Sequence, residues 1–513
     1  MARRTVIGVD SSTTSCKAVA WDRSGRAVAE GRAGHPTSNP RPGWYEQDAE
    51  LWWAGLCSAL DQLFWDISPS QVEALCISNQ RETVVALDGE GVPLRPAILW
   101  LDERCRSQLE FIARTIEPER LHRTTGKPLC KVPALPKLLW IAQVEPEIFV
   151  KSRKFLEAHA FLVQRLTGRY RTSLACADPL GLIDMHSGGW ALELIQEFGF
   201  RQDQFPELTK PGEIIGSVTA SAASRTGLPE GLPVIAGAGD GQCAGLGADI
   251  TGASAAYLNL GTAVIGGLYS SEYRTDLSYR TLYAAVPDSY YLETVIKGGV
   301  FTVAWFAEKF ASGLNDSECS SSVEQLLEGR ARGVPAGSEG LLLVPYWLSA
   351  LNPFWDPNAS GSMIGWSGAH GPEHFYRAIL EGIAFEQRLA VEHVLNSGVE
   401  DFEEYRVVGG GSRSPLWCQI FADIGGRPVV SLTSPEATAL GAGMLAATGA
   451  GWFADCRKAA AAMATPGERW VPDSENSEIY ERIYGEVYRS LFPTIRPLID
   501  RLGEINRNRG SAR

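Results

Sequence analysis

An apolar run, a turn of small polar residues and a second apolar run open the chain, and the same plan returns about 250 positions later. Thr5 to Asp10 and Cys16 to Asp22 flank Ser11-Ser12-Thr13-Thr14-Ser15, and the stretch from Ala255 to Gly267 is interrupted by Gly261-Thr262. Both read as β-hairpins, the first continued into a meander by Ala27 to Glu30. Their recurrence at the head of two similar-sized halves predicts a duplicated lobe. A hairpin that only reverses the chain is satisfied by Asn-Gly or Asp-Gly. Five hydroxyl residues between Asp10 and Lys17 instead offer hydroxyls, amides and a cation to a phosphate, and a carboxylate to a hydrated magnesium ion. On its residues alone this turn is equally a solvent-exposed Ser/Thr loop.

At 513 residues the chain exceeds one hydrophobic core, so two lobes are expected. A net charge of −13 argues against a nucleic-acid surface or a polybasic membrane anchor, and no apolar stretch reaches membrane-spanning length. The ten cysteines show no Cys-x-x-Cys pair and no zinc spacing, so they read as reduced thiols of a cytoplasmic protein.

Further along, Asp48 is expected to cap a helix reaching Phe64. Val72 to Ser78 reads as a buried strand delivering Asn79-Gln80-Arg81-Glu82 to its end, and Ala97 to Leu101 as a strand ending in Trp100-Leu101-Asp102. Arg as donor, carboxylates as acceptors and an aromatic face suit the hydroxyls and ring of a polyol, although Arg81-Glu82 is also readable as a surface pair and Asp102 as a helix-start residue. Leu135 to Thr167 reads as helical, and Arg169 to Asp184 as a loop with little chemistry. The run Val234 to Gln242 places Asp240 inside glycine at the end of an apolar strand, where a turn residue is the commoner identity and a cleft-edge carboxylate the functional one. In the second half, Tyr405 to Val408 leads into Gly409-Gly410-Gly411-Ser412-Arg413-Ser414 and a helix, a backbone on which a nucleoside could lie flat. Glu436 to Gly443 opens a helix of small residues that can pack very close to a neighbour.

Taken together these segments resemble the FGGY family of carbohydrate kinases, from about Val6 to Ala447. The pieces that carry the resemblance are Gly8-Val9-Asp10 through Asp22, Asn79 to Thr83, Ala238-Gly239-Asp240, Leu260-Gly261-Thr262, and Gly409 to Ser412 with Ala422-Asp423. The resemblance implies an α/β fold of two actin-like (ribonuclease H-like) lobes, residues 1–248 and 249–513, with an ATPase cleft between them. It implies ATP and magnesium, and no Walker A loop; Gly126-Lys127 is followed by Pro128. Position by position, Asp240 is similar to the family's general base and Asp10 to the carboxylate near magnesium. Thr13, Thr14 and Lys17 correspond to the first phosphate hairpin, Gly261 and Thr262 to the second, and Gly410, Gly411 and Ser414 to positions beside the adenosine. Arg81, Glu82, Trp100, Asp102 and Gln242 correspond to the sugar or polyol site. A homodimer is an assembly the resemblance allows.

Asn79 to Thr83 has the wording of glycerol kinases, but Val132, Gly241 and Ile265 stand where those enzymes carry Tyr, Gln and Phe, which implies a roomier pocket. Trp100-Leu101-Asp102 is similar to pentulose kinases, so a ketopentose such as xylulose is the expected acceptor and glycerol the alternative. The rival from another class is an actin- or heat-shock-chaperone-like interaction protein, in which Asp240 is structural; Arg81, Glu82 and Asp102 argue against it.

Overall fold

Thirteen strands in two sheets organise the part of the chain that the computed structural model describes, residues 4–311 and 323–510. In the first half these are β1 (Thr5–Ser11), β2 (Ser15–Trp21), β3 (Ala27–Gly34), β4 (Val72–Asn79), β5 (Ile214–Ser217) and β6 (Pro233–Ile235). In the second they are β7 (Ala255–Leu260), β8 (Val264–Ser270), β9 (Arg280–Tyr283), β10 (Tyr290–Ile296), β11 (Glu404–Val408), β12 (Val429–Leu432) and β13 (Pro466–Trp470). The first sheet runs β5-β6-β4-β1-β2-β3 and the second β9-β10-β8-β7-β11-β12-β13. In each, a hairpin strand pairs in parallel with a later strand: β1 with β4, and β7 with β11. Two sheets of one plan, each headed by its own hairpin, are the repetition expected from sequence.

The inner strands β1, β2 and β4 are buried on both faces because helices cover both. Ile7 and Val9 of β1 join the core under helix α1 (Glu50–Leu63), with Trp52, Leu56 and Leu60. Val6 and Trp21 face the opposite way, into a core shared by both halves of the chain. Two helices form that shared layer, α2 (Asp240–Gly247) and α5 (Ala437–Gly449), while α3 (Pro372–Asn396) and α4 (Pro415–Gly425) pack in the second-half core. Helix α5 comes from the second half yet lies on β1, β2 and β4 of the first sheet. It gets there because it is made of small residues. A methyl group added at Gly8 would stand 2.0 Å from the Ala439 carbonyl oxygen, and one at Gly441 2.0 Å from that of Cys243. Trp21 Nε1 donates to the same Ala439 carbonyl at 3.1 Å.

These contacts are backbone against backbone, with no side chain to move aside. Gly441→Ala is therefore expected to lower the unfolding free energy by about 3 kcal/mol, read by urea denaturation; an unchanged midpoint would contradict this packing.

Several expectations need correction. Leu135 to Thr167 is three helices, Leu135–Val144, Pro146–Lys151 and Ala158–Thr167, with a strand Lys154–Leu156 between the last two. That strand pairs with Val85–Leu87, a tertiary contact that overrides local helical pattern. The strand expected over Ala97 to Leu101 is only Ala97–Ile98, because the chain turns at once, with the Asp102 amide donating to the Leu99 carbonyl. Helix α1 begins at Glu50, and Asp48 accepts the Glu50 amide through its side chain at 3.0 Å. The nine described cysteines form no disulfide, and Cys319 lies outside the described residues. No described helix is long and apolar enough to cross a membrane.

Candidate active site

Asp240 does not end a strand. β6 stops at Ile235, and after Gly237 and Gly239 the aspartate becomes the first residue of α2. Glycine is required in this connection: a side chain at Gly237 would meet the Ile77 carbonyl at 1.8 Å, and one at Gly239 would meet Arg81 Cδ at 2.6 Å. His159 Nε2 accepts the Gly237 amide at 3.2 Å and so braces the same connection from beneath. His159 lies with Glu157 and Cys176 in a buried cluster of metal-ligand types. Burial pushes the Cys176 thiol well up and the His159 imidazole down to about 3, which keeps both neutral.

The Asp240 side chain is 43% exposed, and both of its contacts fall on Oδ1. Arg81 Nε stands 2.9 Å away, and the Gly241 amide donates at 2.7 Å. Oδ2 takes no hydrogen bond among the described residues.

Behind Asp240 runs a chain of buried charges that crosses from one lobe to the other. Arg81 Nη1 donates to Glu293 Oε2 at 2.8 Å. Arg280 donates to Glu293 Oε1 through Nε at 2.6 Å and to Glu82 Oε1 through Nη1 at 2.8 Å. Tyr257 Oη completes the Glu293 shell at 3.2 Å. Glu293 is fully buried; burial drives its carboxyl upward, but the guanidiniums of Arg280 and Arg81 outweigh that and hold it below the usual carboxylate range. Glu82 adopts φ +56°, a left-handed conformation unusual for a side chain of its length, and is held there by Arg280. Gly241, expected to leave the pocket roomier, instead admits this network: a methyl there would lie 3.1 Å from Glu293 Oε2 and 3.2 Å from Arg81 Nη2.

On the first hairpin, Asp10 Oδ1 is buried without a hydrogen bond. Burial, then the charges of Asp240 and Glu436, push its carboxyl up to about 7. Lys17 on β2 reaches across to Glu436, just before α5, at 2.7 Å. Trp100, 36% exposed, donates from Nε1 to Thr13 Oγ1 at 3.1 Å, placing an aromatic face beside the hydroxyl turn. Thr14, also in that turn, is exposed.

The second hairpin turn is fastened at its back. Val300 and Phe301 at a helix start donate to the carbonyls of Gly261 and Thr262, at 2.9 and 3.3 Å. Gly409 and Gly411 pack against Leu260 at the end of β7, whereas a methyl group added at Gly410 would meet nothing within 4 Å, so the middle glycine presents open backbone. Ser414 caps α4 by accepting the Trp417 amide at 3.1 Å.

Besides Arg81 and Glu82, which are buried in the charge network, two further residues assigned to the sugar site are turned to internal partners. Asp102 is fully buried, paired with Arg104 at 2.8 Å and accepting the Tyr45 amide at 2.6 Å. Gln242 is fully buried and donates to the Ala175 carbonyl at 2.8 Å. Ala175 and Asp178, which pairs with Lys127 at 3.1 Å, belong to the segment expected to carry little chemistry. Glu293, Arg280 and Glu436 were missed by sequence reasoning. The available signal was a lone carboxylate inside the apolar strand YYLETVI.

The family model of the FGGY carbohydrate kinase N-terminal domain matches residues 5–247, and that of the C-terminal domain residues 256–450. A xylulose kinase of Bacillus subtilis is 29% identical, the match covering 98% of this chain and 99% of the relative. One from Lactococcus lactis is 30% identical over 98% and 99%. The crystal structure of xylulose kinase from Rhodospirillum rubrum superposes with a TM-score of 0.88 at 30% identity, covering 97% of this chain and all of that one.

Proposed function

The chain belongs to the FGGY family of carbohydrate kinases, and from that premise we propose that it phosphorylates a ketopentose such as xylulose from ATP, with Asp240 as general base. The observation that carries the base assignment is the one-sided engagement of Asp240: Oδ1 is occupied and Oδ2 is open, within electrostatic reach of the Asp10 hairpin. A carboxylate so held can take the proton of an attacking hydroxyl without moving. The ketopentose is favoured because full-length relatives and the similar solved structure bear that substrate in their names.

The other roles rest on the family resemblance. Thr13, Thr14 and Lys17 receive the terminal phosphates from the first lobe and Gly261 and Thr262 from the second. Gly410, Gly411 and Ser414 border the nucleoside. Arg81, Glu82 and Trp100 meet the sugar, while Asp102 and Gln242 brace the walls behind it. Magnesium fits the donor set, since Asp10 offers a buried oxygen with no partner beside Asp240 and Glu436. Asp10 would hold it, and it would supply positive charge to offset that of the phosphates. Lys17, paired with Glu436 at 2.7 Å, is positioned to exchange that partner for a phosphate.

The test is an ADP-release screen over xylulose, ribulose, erythritol and glycerol. A ketopentose is expected to give kcat/KM at least about tenfold above the other acceptors. Preference for glycerol would overturn the substrate and leave the reaction class intact.

A further inference from the structure

The connection that carries Asp240 is gripped on both sides by one stretch of chain. Ahead of the aspartate, the buried Gly237 amide finds its acceptor, among the described residues, in the His159 ring rather than in a backbone carbonyl. A backbone amide can only donate, so Nε2 must carry a lone pair, and the proton of this neutral ring stands on Nδ1. Nδ1 faces Thr172 Oγ1 at 3.3 Å. That hydroxyl gives its own proton to the Glu157 carboxylate, which also accepts the Ala160 amide at 3.2 Å. The direction of every bond is therefore set: Gly237 donates to His159, His159 to Thr172, and Thr172 to Glu157. All three side chains are at most 1% exposed, so bulk water cannot stand in for any of them. Beyond the aspartate, Gln242 donates to the carbonyl of Ala175, just past Thr172 in the chain, at 2.8 Å. Gly237 and Gly239 give this connection no side chain of its own to wedge it, so hydrogen bonds decide where α2 begins.

We propose that His159 is a positioning residue for the base: kept in its Nδ1–H tautomer by Thr172 and Glu157, it accepts the Gly237 amide and so sets where the Asp240 carboxylate stands. This rests on the reading of Asp240 as the base. A buried amide that loses its acceptor is driven towards another, and a displacement of about 1 Å at a reacting group can cost about 10²-fold in rate. The hairpins and the glycine loop that meet ATP do not run through this connection.

Two substitutions of similar size separate the acceptor from the space it fills. Glutamine can place its amide oxygen where Nε2 stands, and methionine has nearly the same shape with only a weakly accepting thioether. His159→Gln is expected to lose less than about threefold in kcat. His159→Met is expected to lose about 10- to 100-fold, with the KM for ATP within about threefold in both. Equal losses would overturn the proposal, since a residue that only filled space would be replaced as well by either. ADP binding and thermal melting establish that each variant is folded. Should one not fold, the tautomer in the parent protein decides. In nitrogen NMR of histidine-labelled protein, with His159 assigned by replacing the other histidines in turn, the expected form is protonated on Nδ1. A ring protonated on Nε2 would point a proton at the Gly237 amide and overturn the proposal. Asp240→Asn is the control: full activity there removes the base reading itself, whereas loss there with equal effects of Gln and Met removes only the role of His159.

Discussion

Asp240→Asn is expected to lower kcat for sugar phosphorylation by about 10²- to 10⁴-fold while ATP affinity stays within about threefold. Asparagine preserves the shape of the side chain and its acceptor for the Gly241 amide, so the start of α2 is kept. What it loses is the ability to take a proton, and it loses the charge that pairs with Arg81 at 2.9 Å. Arg81 retains Glu293, so the buried network is left with a counter-ion and the fold should survive. Isothermal titration of ATP alongside initial rates separates the two effects. Turnover close to that of the parent protein would exclude Asp240 as the base.

Asp10→Asn is expected to do two opposite things. Turnover should drop by about 10²-fold or more, because a fixed charge at the phosphate site is removed. Stability in metal- and nucleotide-free buffer should rise. In the unfolded chain an aspartate titrates near about 3.9, whereas burial, Asp240 and Glu436 lift this one to about 7. The folded protein therefore retains a proton that the unfolded chain has released, and stability falls as pH rises through that window, levelling off above it. The variant carries no such penalty. Its melting temperature should exceed that of the parent protein at about pH 8, the gap closing towards about pH 4. A lower melting temperature at alkaline pH would show that Asp10 is not electrostatically strained. A residue whose loss stabilises the protein and abolishes its activity is held in place for function.

The two hairpins were legible in the sequence because both halves of the signal are local: apolar runs long enough to be strands, and turns whose residues are wrong for simple reversal. The same holds for α5, where small residues in helical sequence announce a close crossing, seen in the 2.0 Å approaches at Gly8 and Gly441. Asp240 was found for its glycine surroundings, although the strand it was assigned to ends earlier and the residue opens a helix. Family resemblance supplied candidate roles, but not the partners. Arg81 and Glu293 are separated by 212 positions and Glu82 and Arg280 by 198, so no local pattern could pair them. The same blindness produced the expectation about Gly241: a missing side chain looks like space in a sequence, and only the fold shows Arg81 and Glu293 taking it. The strand Lys154–Leu156 was lost inside a helical pattern for the related reason that its partner, Val85–Leu87, lies far away in the chain.

The central claim is that phosphoryl transfer goes to a sugar hydroxyl activated at Asp240 rather than to water. Its most direct measurement is ADP formation from ATP and magnesium with and without xylulose, with the sugar product identified by mass spectrometry. The expected result is ADP release that depends on the sugar and equals the sugar monophosphate formed, both lost together in Asp240→Asn. ADP release at the same rate without any acceptor, or unaltered by Asp240→Asn, would contradict it.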